Sequence, residues 1–491
     1  MAGRRWTFLL DARTEKDVAV AATVLGGILF GALALVRHWS FHSTASDLAV
    51  FDQVLWNTVH GRFMESTLSL ANCVPHHFFG DHFSPALLFI LPLYALMPLP
   101  ETLLLVQTVA LSLGAWPIYL LARRFLPLGW QRLVWVAAYL LSAHLSFVAL
   151  YDFHEITLAV APLGFAMYFL ATRRTAPLVA SLLVAMLAKE EVALISVGFG
   201  IALAFQRRWL ASAVVIVGSV LVFVATLKVI IPAFAAGAPY QYLGRYASLG
   251  SNELEIARTL LTDPLRAIAV LGEGEGGSKV VFILSLFGPG LMLAARSKWA
   301  LIPSLIPLAY LMLSDYGGQH THHNQYGAPI IPLALGASIL GFAALGERWR
   351  RRLLFGVTVS TLFFAFTFGG LPFSINFADA FLRGEPDRAP SGEPILARES
   401  RYEPFLPAVG AIPIDAAVSS RDFFTTQIPQ RRFNYNLVGL DPCDARYVIL
   451  DWAAPKTNRD PETHRADVEA IKALGFDEIA SGEGLSLLRR R

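Results

Sequence analysis

The chain has 491 residues, of which 55% are hydrophobic and only 16% charged, with a formal net charge of +3. A soluble domain carries about a quarter charged residues, so this composition indicates a protein that lies mostly inside a membrane. The small net charge gives no reason to expect nucleic acid binding, and two cysteines exclude a disulfide-rich scaffold.

The first long apolar run, residues 18–36, follows a short segment that contains Arg4 and Arg5. It is longer than a signal-peptide core and has no small-residue cleavage site after it, which predicts a retained first helix. The shorter run 83–97 is broken by Pro85 and Pro92 and predicts a re-entrant or juxtamembrane segment. Together with the later apolar runs, the first run predicts about eleven membrane-spanning helices. The predicted spans are 18–36, 102–121, 133–150, 156–171, 176–188, 192–205, 210–231, 280–295, 299–313, 328–345 and 353–371.

The basic residues predict the orientation of these spans. If the N-terminus is cytoplasmic and residues 83–97 do not cross, every compact basic cluster between spans falls on one face, as the positive-inside rule requires. These clusters are Arg123/Arg124/Arg132, Arg173/Arg174, Arg207/Arg208, Arg296/Lys298 and Arg348/Arg350/Arg351/Arg352. The other face then carries the histidine-rich loops and the C-terminus.

The chain divides into three predicted parts. Residues 1–372 form the transmembrane domain, with outer loops at 38–82 and 232–278. We predict that residues 373–403 are a linker and that residues 404–491 form a small α/β domain outside the cytoplasm. In that domain we predict strands at 418–420 and 447–451, a helix at 460–474 and a hairpin at 479–488.

In the first outer loop, apolar residues recur at helical spacing. This pattern predicts an amphipathic helix over residues 47–60 that lies at the membrane interface. Asp47 falls in the first turn, where a carboxylate also favours the helix dipole without any other function. Asp52 on the flank of the apolar stripe is either an interfacial polar residue or a substrate contact. The apolar residues are Leu48, Phe51, Leu55 and Val59.

Residues 76–85 are dense in histidine and aspartate. His77, Asp81 and His82 could bind a divalent metal ion, although their spacing matches no zinc signature. The alternative is a loop of hydrogen-bonded histidines.

Two further polar segments interrupt apolar runs. Asp152, His154 and Glu155 follow one span, and the Lys189-Glu190-Glu191 triplet separates two others. Ionisable groups there are costly in lipid and must face water, protein or a ligand. The triplet is either a salt-bridged turn or part of a polar cavity in which Lys189 contacts a phosphate.

The later outer loops add cationic and aromatic candidates. His320, His322 and His323 precede Tyr326 at the start of a span and suit anion contact, metal binding or a plain hydrophilic loop. Arg245, among tyrosines in 232–278, suits a lipid phosphate because guanidinium forks bind phosphate oxygens. No Walker loop, GxGxxG, HExxH or GxSxG element is present, so ATP-driven transport and the familiar hydrolases lack support.

Four segments together resemble a known family: SDLAVFDQVLWNTVHGRF, GDHFSPALLFILPLYALMP, YDFHEI and AKEEVAL. They are similar to a family of bacterial multi-pass membrane proteins, a domain of unknown function grouped with the GT-C glycosyltransferases. The resemblance covers His42 to about Pro332. It implies a GT-C-like helical bundle in the bacterial inner membrane, surrounded by membrane lipid. It also implies transfer of a sugar from a polyprenyl-phosphate donor to an acceptor at the outer face.

The resemblance also implies roles for individual residues. Asp47 matches the GT-C acidic position after the first span and would be the general base, although the next residue is Leu48 where many GT-C enzymes have a second carboxylate. Asp152 or Glu155 matches the second acidic position, and Asp47, Asp152 and Glu190 would line one cavity as catalytic residues. A divalent metal is an optional cofactor. The predicted substrate contacts are Asp52, His82, His154, Glu155, Lys189, Glu191, Arg245, His322 and Tyr326.

Two other classes of function are open to this sequence. A transporter or flippase would have ionisable residues near the bilayer midplane and repeats in its helix pattern, and the sequence shows neither. A non-catalytic scaffold would bind a protein partner through the C-terminal domain. Cys73 and Cys443 both fall outside the cytoplasm and could form a disulfide.

Overall fold

The computed structural model describes residues 11–68, 73–237, 240–273, 276–383, 395, 400–452 and 460–491. Helices dominate this part of the chain, and a small sheet lies near its C-terminus. The helices are α1 (Ala12–Trp39), α2 (Val50–Val59), α3 (Leu87–Leu96), α4 (Pro100–Leu113), α5 (Ala115–Phe125), α6 (Gly129–Leu140), α7 (Ala143–Leu150), α8 (Val160–Ala171), α9 (Thr175–Met186), α10 (Val192–Phe205), α11 (Trp209–Ala225), α12 (Ile231–Phe234), α13 (Glu253–Thr262), α14 (Pro264–Gly272), α15 (Gly276–Phe287), α16 (Ile302–Met312), α17 (Ile330–Ala343), α18 (Glu347–Phe368), α19 (Ile375–Phe377), α20 (Leu406–Gly410), α21 (Asp422–Gln427) and α22 (Pro461–Ala473). The strands are β1 (Glu65–Ser66), β2 (His76–His77), β3 (Val418–Ser420), β4 (Asn434–Asn436), β5 (Tyr447–Asp451), β6 (Phe476–Gly482) and β7 (Leu485–Arg490).

Four helical segments of the described chain are long and apolar enough to cross a membrane: Ala12–Trp39, Pro100–Phe125, Trp209–Phe234 and Glu347–Phe368. The pair α6 and α7, bent by 45°, would be a fifth if it forms one span. The other apolar helices have 10–17 residues, fewer than the roughly 20 that a straight crossing needs. The described chain therefore has four or five helices suited to crossing a membrane, and the number of about eleven crossings stays a prediction.

The longest helix, α1, connects two charged ends of the bundle. Its 28 residues extend about 42 Å, enough to cross the hydrocarbon core of a membrane. Near its start the Glu15 carboxylate pairs with Arg132 at 2.7 Å, and near its end Arg37 pairs with Asp152 at 2.8 Å. The apolar core between these ends surrounds α17, whose residues are nearly all buried against α5, α6, α8, α15 and α16. A helix that is apolar on every side belongs in such a position.

The first outer loop contains the expected helix in a different setting. A π-helical turn at Ala45–Ala49 leads into α2, which is buried on most sides instead of lying at the interface. The prediction of a surface-lying amphipathic helix is wrong because α3 packs on one side and the C-terminal sheet covers another. Two residues before β4, the first strand in the order of that sheet, the Arg432 carbonyl accepts a hydrogen bond from Gln53 Nε2 at 3.0 Å.

The C-terminal sheet has five strands in the order β4-β3-β5-β7-β6. Strands β4, β3 and β5 are parallel, and β7 pairs antiparallel with both β5 and β6. The predicted strands β3 and β5, the helix α22 and the β6–β7 hairpin are all confirmed. The short edge strand β4, with the sequence Asn-Tyr-Asn, was missed because it has no apolar alternation.

This sheet and the first outer loop share one core. Phe41, just after α1, stacks on Tyr402 with ring centres 4.6 Å apart and meets Phe424 edge-on. A disulfide joins Cys73 to Cys443, as the sequence allowed, with Cα atoms 5.3 Å apart. About half of the proposed linker 373–403 lies outside the described residues. The sheet is thus attached to the loop that carries Asp47.

Candidate functional site

Asp47 lies at the centre of a hydrogen-bonded group formed by two loops. His154 Nε2 is 3.0 Å from Asp47 Oδ1, and the Tyr151 hydroxyl donates to Oδ2 at 3.4 Å. The Thr44 hydroxyl is 3.0 Å from the same Oδ2 and 2.9 Å from Asp152 Oδ2, so its single proton is shared between the two carboxylates. The Asp47 side chain is 22% exposed, which leaves it open to a ligand.

The hydrogen bond between Asp47 and His154 indicates the protonation state of the pair. His154 Nδ1 faces the Asp152 backbone carbonyl at 3.0 Å, and because a carbonyl only accepts, Nδ1 must carry a hydrogen. A hydrogen bond between Nε2 and Asp47 then requires a proton on one of the two groups. Either Nε2 also carries a hydrogen, which makes the ring an imidazolium, or the Asp47 carboxyl is protonated. Burial lowers the pKa of His154, but the Asp47 carboxylate, with smaller contributions from Glu155 and the Asp152 carbonyl, makes the net shift upward. We interpret the pair as an imidazolium beside a carboxylate.

Asp152, predicted as catalytic, is placed differently from Asp47. Its side chain is 0% exposed, pairs with Arg37, and accepts the Thr44 backbone N–H at 2.7 Å. A carboxylate enclosed in this way cannot reach a substrate unless the loops move. We therefore interpret Asp152 as a residue that positions Thr44, and through it Asp47.

Gln107 of α4 holds the 151–155 loop in place. Its Nε2 lies 3.1–3.2 Å from the backbone carbonyls of Val148, Tyr151 and Asp152. Its Oε1 accepts the backbone N–H of His154 at 2.8 Å. Sequence reasoning missed this residue and also Arg37 and Thr44. A lone amide inside an apolar run was the signal that could have revealed Gln107.

A second group surrounds Glu190. Its Oε1 accepts from the Tyr240 hydroxyl and lies next to His82 Nδ1, both at 2.8 Å, and its Oε2 accepts the Phe83 backbone N–H at 3.1 Å. The loop after α2, the turn before α10 and the loop after α12 therefore meet at one carboxylate.

The three predicted metal ligands each have a different neighbour. Asp81 Oδ1 accepts from Gln241 and Tyr242 at 2.7 Å, His82 faces Glu190, and the His77 ring stacks on Phe234. Among the described residues, the one group of three possible ligand atoms within 4.8 Å of each other is Cys73, Asp441 and Cys443, whose cysteines form the disulfide. The side chains do not converge as metal ligands, so the geometry does not support the predicted metal site.

Lys189 joins the two groups. Its Nζ lies 2.9 Å from Glu155 Oε1, adjacent in sequence to His154, while Glu190 follows Lys189 directly. The next carboxylate, Glu191, receives the Tyr310 hydroxyl at 3.5 Å. The salt-bridged turn that the sequence allowed is thus present, and it faces the site instead of the solvent.

A cavity of about 390 Å³ opens beside Glu190. Arg245 lines it, with its guanidinium carbon 4.5 Å from the ring centre of Tyr242 and 4.7 Å from that of Tyr316, and its Nη1 donates to the Tyr326 hydroxyl at 3.4 Å. Much of the remaining wall is apolar and includes Phe223 and Leu227. Such a cavity suits a ligand with one anionic group and an apolar tail.

Neither of the two cavities described here is lined by all three proposed catalytic carboxylates. Glu190 lines the 390 Å³ cavity. Thr44 and Tyr151, the neighbours of Asp47, line a second cavity of about 520 Å³, and Asp152 is enclosed. The carboxylates are instead linked through His154, Glu155 and Lys189.

Two of the predicted substrate contacts, Asp52 and His322, are enclosed by other side chains. Asp52 is fully buried and accepts the Tyr94 hydroxyl at 2.7 Å, and burial raises its pKa to about 7 against the effect of that hydrogen bond. A ligand could not reach Asp52 without repacking α2. His322 packs among His144, Phe147 and Phe368, while its neighbour His323 lines the 520 Å³ cavity.

The His82–Glu190 pair is expected to stabilise the fold within a limited pH range. Burial and the nearby Lys189 lower the pKa of His82, but Glu190 and Asp81 bring it above the ordinary 6.5. Burial raises the pKa of Glu190, but His82 and, to a smaller extent, Lys189 bring it to about 2. The stability that comes from the shifted pKa of Glu190 is fully present above its ordinary pKa of 4.5 and is lost as the pH falls toward 2. The stability that comes from the shifted pKa of His82 is fully present below 6.5 and is lost as the pH rises through the raised pKa.

The destabilisation caused by His82→Gln should therefore be greatest between pH 4.5 and 6.5 and shrink at higher pH. Thermal unfolding of both proteins across this range measures it. His60→Gln, at an exposed histidine of the same loop, is the control. A destabilisation that does not change with pH would contradict the protonated state of the pair.

The architecture is similar to that of one solved structure. The crystal structure of ArnT from Cupriavidus metallidurans in the apo state aligns with a TM-score of 0.52 and 13% identity, over 94% of this chain and 97% of that one. At that identity the likeness establishes the fold alone: the described chain has the fold of ArnT.

The sequence comparison then gives the family. The chain belongs to the family described as "Predicted membrane protein (DUF2079)", whose model matches residues 37–487. The match includes the first outer loop, the bundle after α1 and the C-terminal sheet. No curated protein matches the sequence.

Proposed function

We propose that this protein is a glycosyltransferase that moves a sugar from a polyprenyl-phosphate donor to an acceptor at the outer face of the bacterial inner membrane. The observation that carries the proposal is the partly exposed Asp47–His154 pair, linked by ionic contacts to a cavity with one arginine and an apolar wall. Such a pair is suited to a general base, and such a cavity to a lipid phosphate.

The donor would occupy the 390 Å³ cavity. Its phosphate would lie against Arg245, whose guanidinium is held between the rings of Tyr242 and Tyr316. Its polyprenyl chain would follow Phe223 and Leu227 of the α11–α12 segment, whose other face exposes Leu221 and Val224 where lipid would surround it. This arrangement lets the lipid tail stay in the bilayer while the phosphate reaches a polar site.

The transfer step would involve Asp47 directly. The acceptor hydroxyl oxygen forms a bond to the anomeric carbon as the bond from that carbon to the phosphate oxygen breaks, and the phosphate leaves with the electron pair. Asp47 takes the hydroxyl proton, and Arg245 stabilises the charge that develops on the phosphate. Glu190 and Asp152 hold the surrounding loops and take no proton in this scheme.

Purified protein incubated with labelled polyprenyl-phosphate sugars tests the proposal. We expect turnover in the wild type and binding of polyprenyl phosphate that weakens by about 10- to 100-fold in Arg245→Gln, because charge-assisted contacts contribute about 1.5–3 kcal/mol. Arg258→Gln, at an exposed arginine of the same loop, should bind as the wild type does. Equal loss in both variants, or no turnover of any lipid-linked sugar, would contradict the proposal.

A further inference from the structure

The second cavity, of about 520 Å³, lies where the bundle meets the C-terminal sheet. Arg37, Thr44 and Tyr151 line one part of it, and Phe423 of α21 lines another. Its volume falls within the usual range for small-molecule sites. None of the roles proposed above for the donor uses this space.

His42 indicates that this cavity takes a ligand. The residue lines the cavity and is only 6% exposed. Apart from a weak contact with the Ser40 backbone, neither ring nitrogen makes a hydrogen bond within the described part of the chain. A buried polar group without a partner costs free energy, so such a group at a cavity wall calls for a ligand that supplies one. Burial lowers the pKa of His42 to about 4, with Arg37 adding to the shift and the Ser40 backbone opposing it, so the ring is neutral.

The lining favours an uncharged ligand. Arg37 is already paired with Asp152 at 2.8 Å, and His42 adds no charge. The amides of Asn324 and Asn376 also line the cavity, together with the aromatic rings of Phe147, Phe381 and Phe423. Amides and imidazoles that bind hydroxyls, beside aromatic rings that cover C–H faces, are suited to a sugar ring.

The cavity is one side chain away from the proposed base. Thr44 and Tyr151 line it, and their hydroxyls lie 3.0 and 3.4 Å from Asp47 Oδ2. Buried contacts connect the donor cavity to the same carboxylate: Glu190 lines that cavity, its neighbour Lys189 pairs with Glu155, and the next residue, His154, bonds Asp47. A donor and an acceptor that react beside one carboxylate need two binding sites next to it, one for each reactant.

We propose that the second cavity binds an uncharged sugar ring of the acceptor, recognised by His42 and directed past Thr44 toward Asp47. The assignment of this sugar as an acceptor rests on the proposed transferase function. Its binding does not, because binding can be measured with no donor present.

The test is saturation-transfer NMR on the full chain in lipid nanodiscs. The probes are methyl glycosides of common hexoses and pentoses, and the matched sugar phosphates. We expect at least one methyl glycoside to bind and the phosphates to bind more weakly. His42→Phe removes the ring nitrogens and Ala380→Trp fills the cavity from another segment, and each should weaken binding by at least about tenfold.

His60→Phe is the matched control, at an exposed histidine that lines neither cavity, and should bind as the wild type does. Unchanged unfolding temperatures establish that the variants are folded. The proposal is overturned if no glycoside binds, if His42→Phe and Ala380→Trp bind as well as the wild type, or if sugar phosphates bind more tightly. Glycoside binding without transfer would refute the transferase function and leave the sugar site in place.

Discussion

Asp47→Asn is expected to lower the rate of sugar transfer by about 10²- to 10⁴-fold, the usual contribution of a general base. The amide has the shape of the carboxylate and keeps an oxygen for Thr44 and Tyr151, which now reach Asp47 Oδ2. It cannot accept a proton at neutral pH. The protein should therefore fold and bind donor and acceptor normally while kcat falls. Initial rates with a labelled lipid-linked sugar, beside thermal unfolding of the same preparations, measure both effects.

Asp52→Asn is the matched control for this experiment. Asp52 lies about one and a half helical turns further along, and its carboxyl is buried against the Tyr94 hydroxyl. Because no ligand reaches it, its substitution should alter stability more than rate. If turnover survives in Asp47→Asn and is lost in Asp52→Asn, the base has been assigned to the wrong carboxylate.

Lys189→Met is expected to be the most destabilising single change at the site, costing about 3–5 kcal/mol in the free energy of unfolding. The side chains of Lys189 and Glu155 are only 8% and 1% exposed. Within the described residues, neither Glu155 oxygen has a further hydrogen bond of ordinary geometry, so Lys189 is its close counter-charge. Removing the ammonium leaves a buried carboxylate uncompensated. Denaturant titration in a lipid mimetic measures the loss.

The double variant Lys189→Met/Glu155→Gln distinguishes this cause from lost packing. With the carboxylate also neutralised, much of the stability should return, giving a large coupling energy in the double-mutant cycle. Lys228→Met breaks the exposed Lys228–Glu253 pair, whose lysine side chain is 58% exposed, and should change stability little. Additive effects of the two substitutions at the buried pair would show that the ionic contact is not the cause.

Local signals determined much of the secondary structure. Helix α10 has the predicted bounds because an uninterrupted apolar run lies between Glu191 and Gln206. Helix α22 begins after Asp460, whose side chain accepts the Thr463 backbone N–H as an N-cap. The α4–α5 and α6–α7 segments were each predicted as one span. In the structure each divides into two helices, and the second pair is bent by 45°.

The site depended on contacts that no local pattern contains. The partner of Asp152 is Arg37, and that of Glu190 is His82, each more than 100 residues away. From the sequence, the two carboxylates belong to one group because each interrupts an apolar stretch at the same predicted face of the membrane. The sequence could not tell which carboxylates would be enclosed by distant loops, so Asp152 and Asp47 were given the same role.

By itself, the sequence determined that this is a multi-pass membrane protein, which family it resembles, and that its ionisable residues gather in a few loops, since hydropathy and charge are properties of the residues in order. The tertiary structure decided what each charged group does. Asp47 stays 22% exposed beside His154, whereas Asp152 is enclosed by Arg37 and Thr44. Burial and ion pairing depend on which segments meet in space, and they separate a carboxylate that a ligand can reach from one that holds the loop.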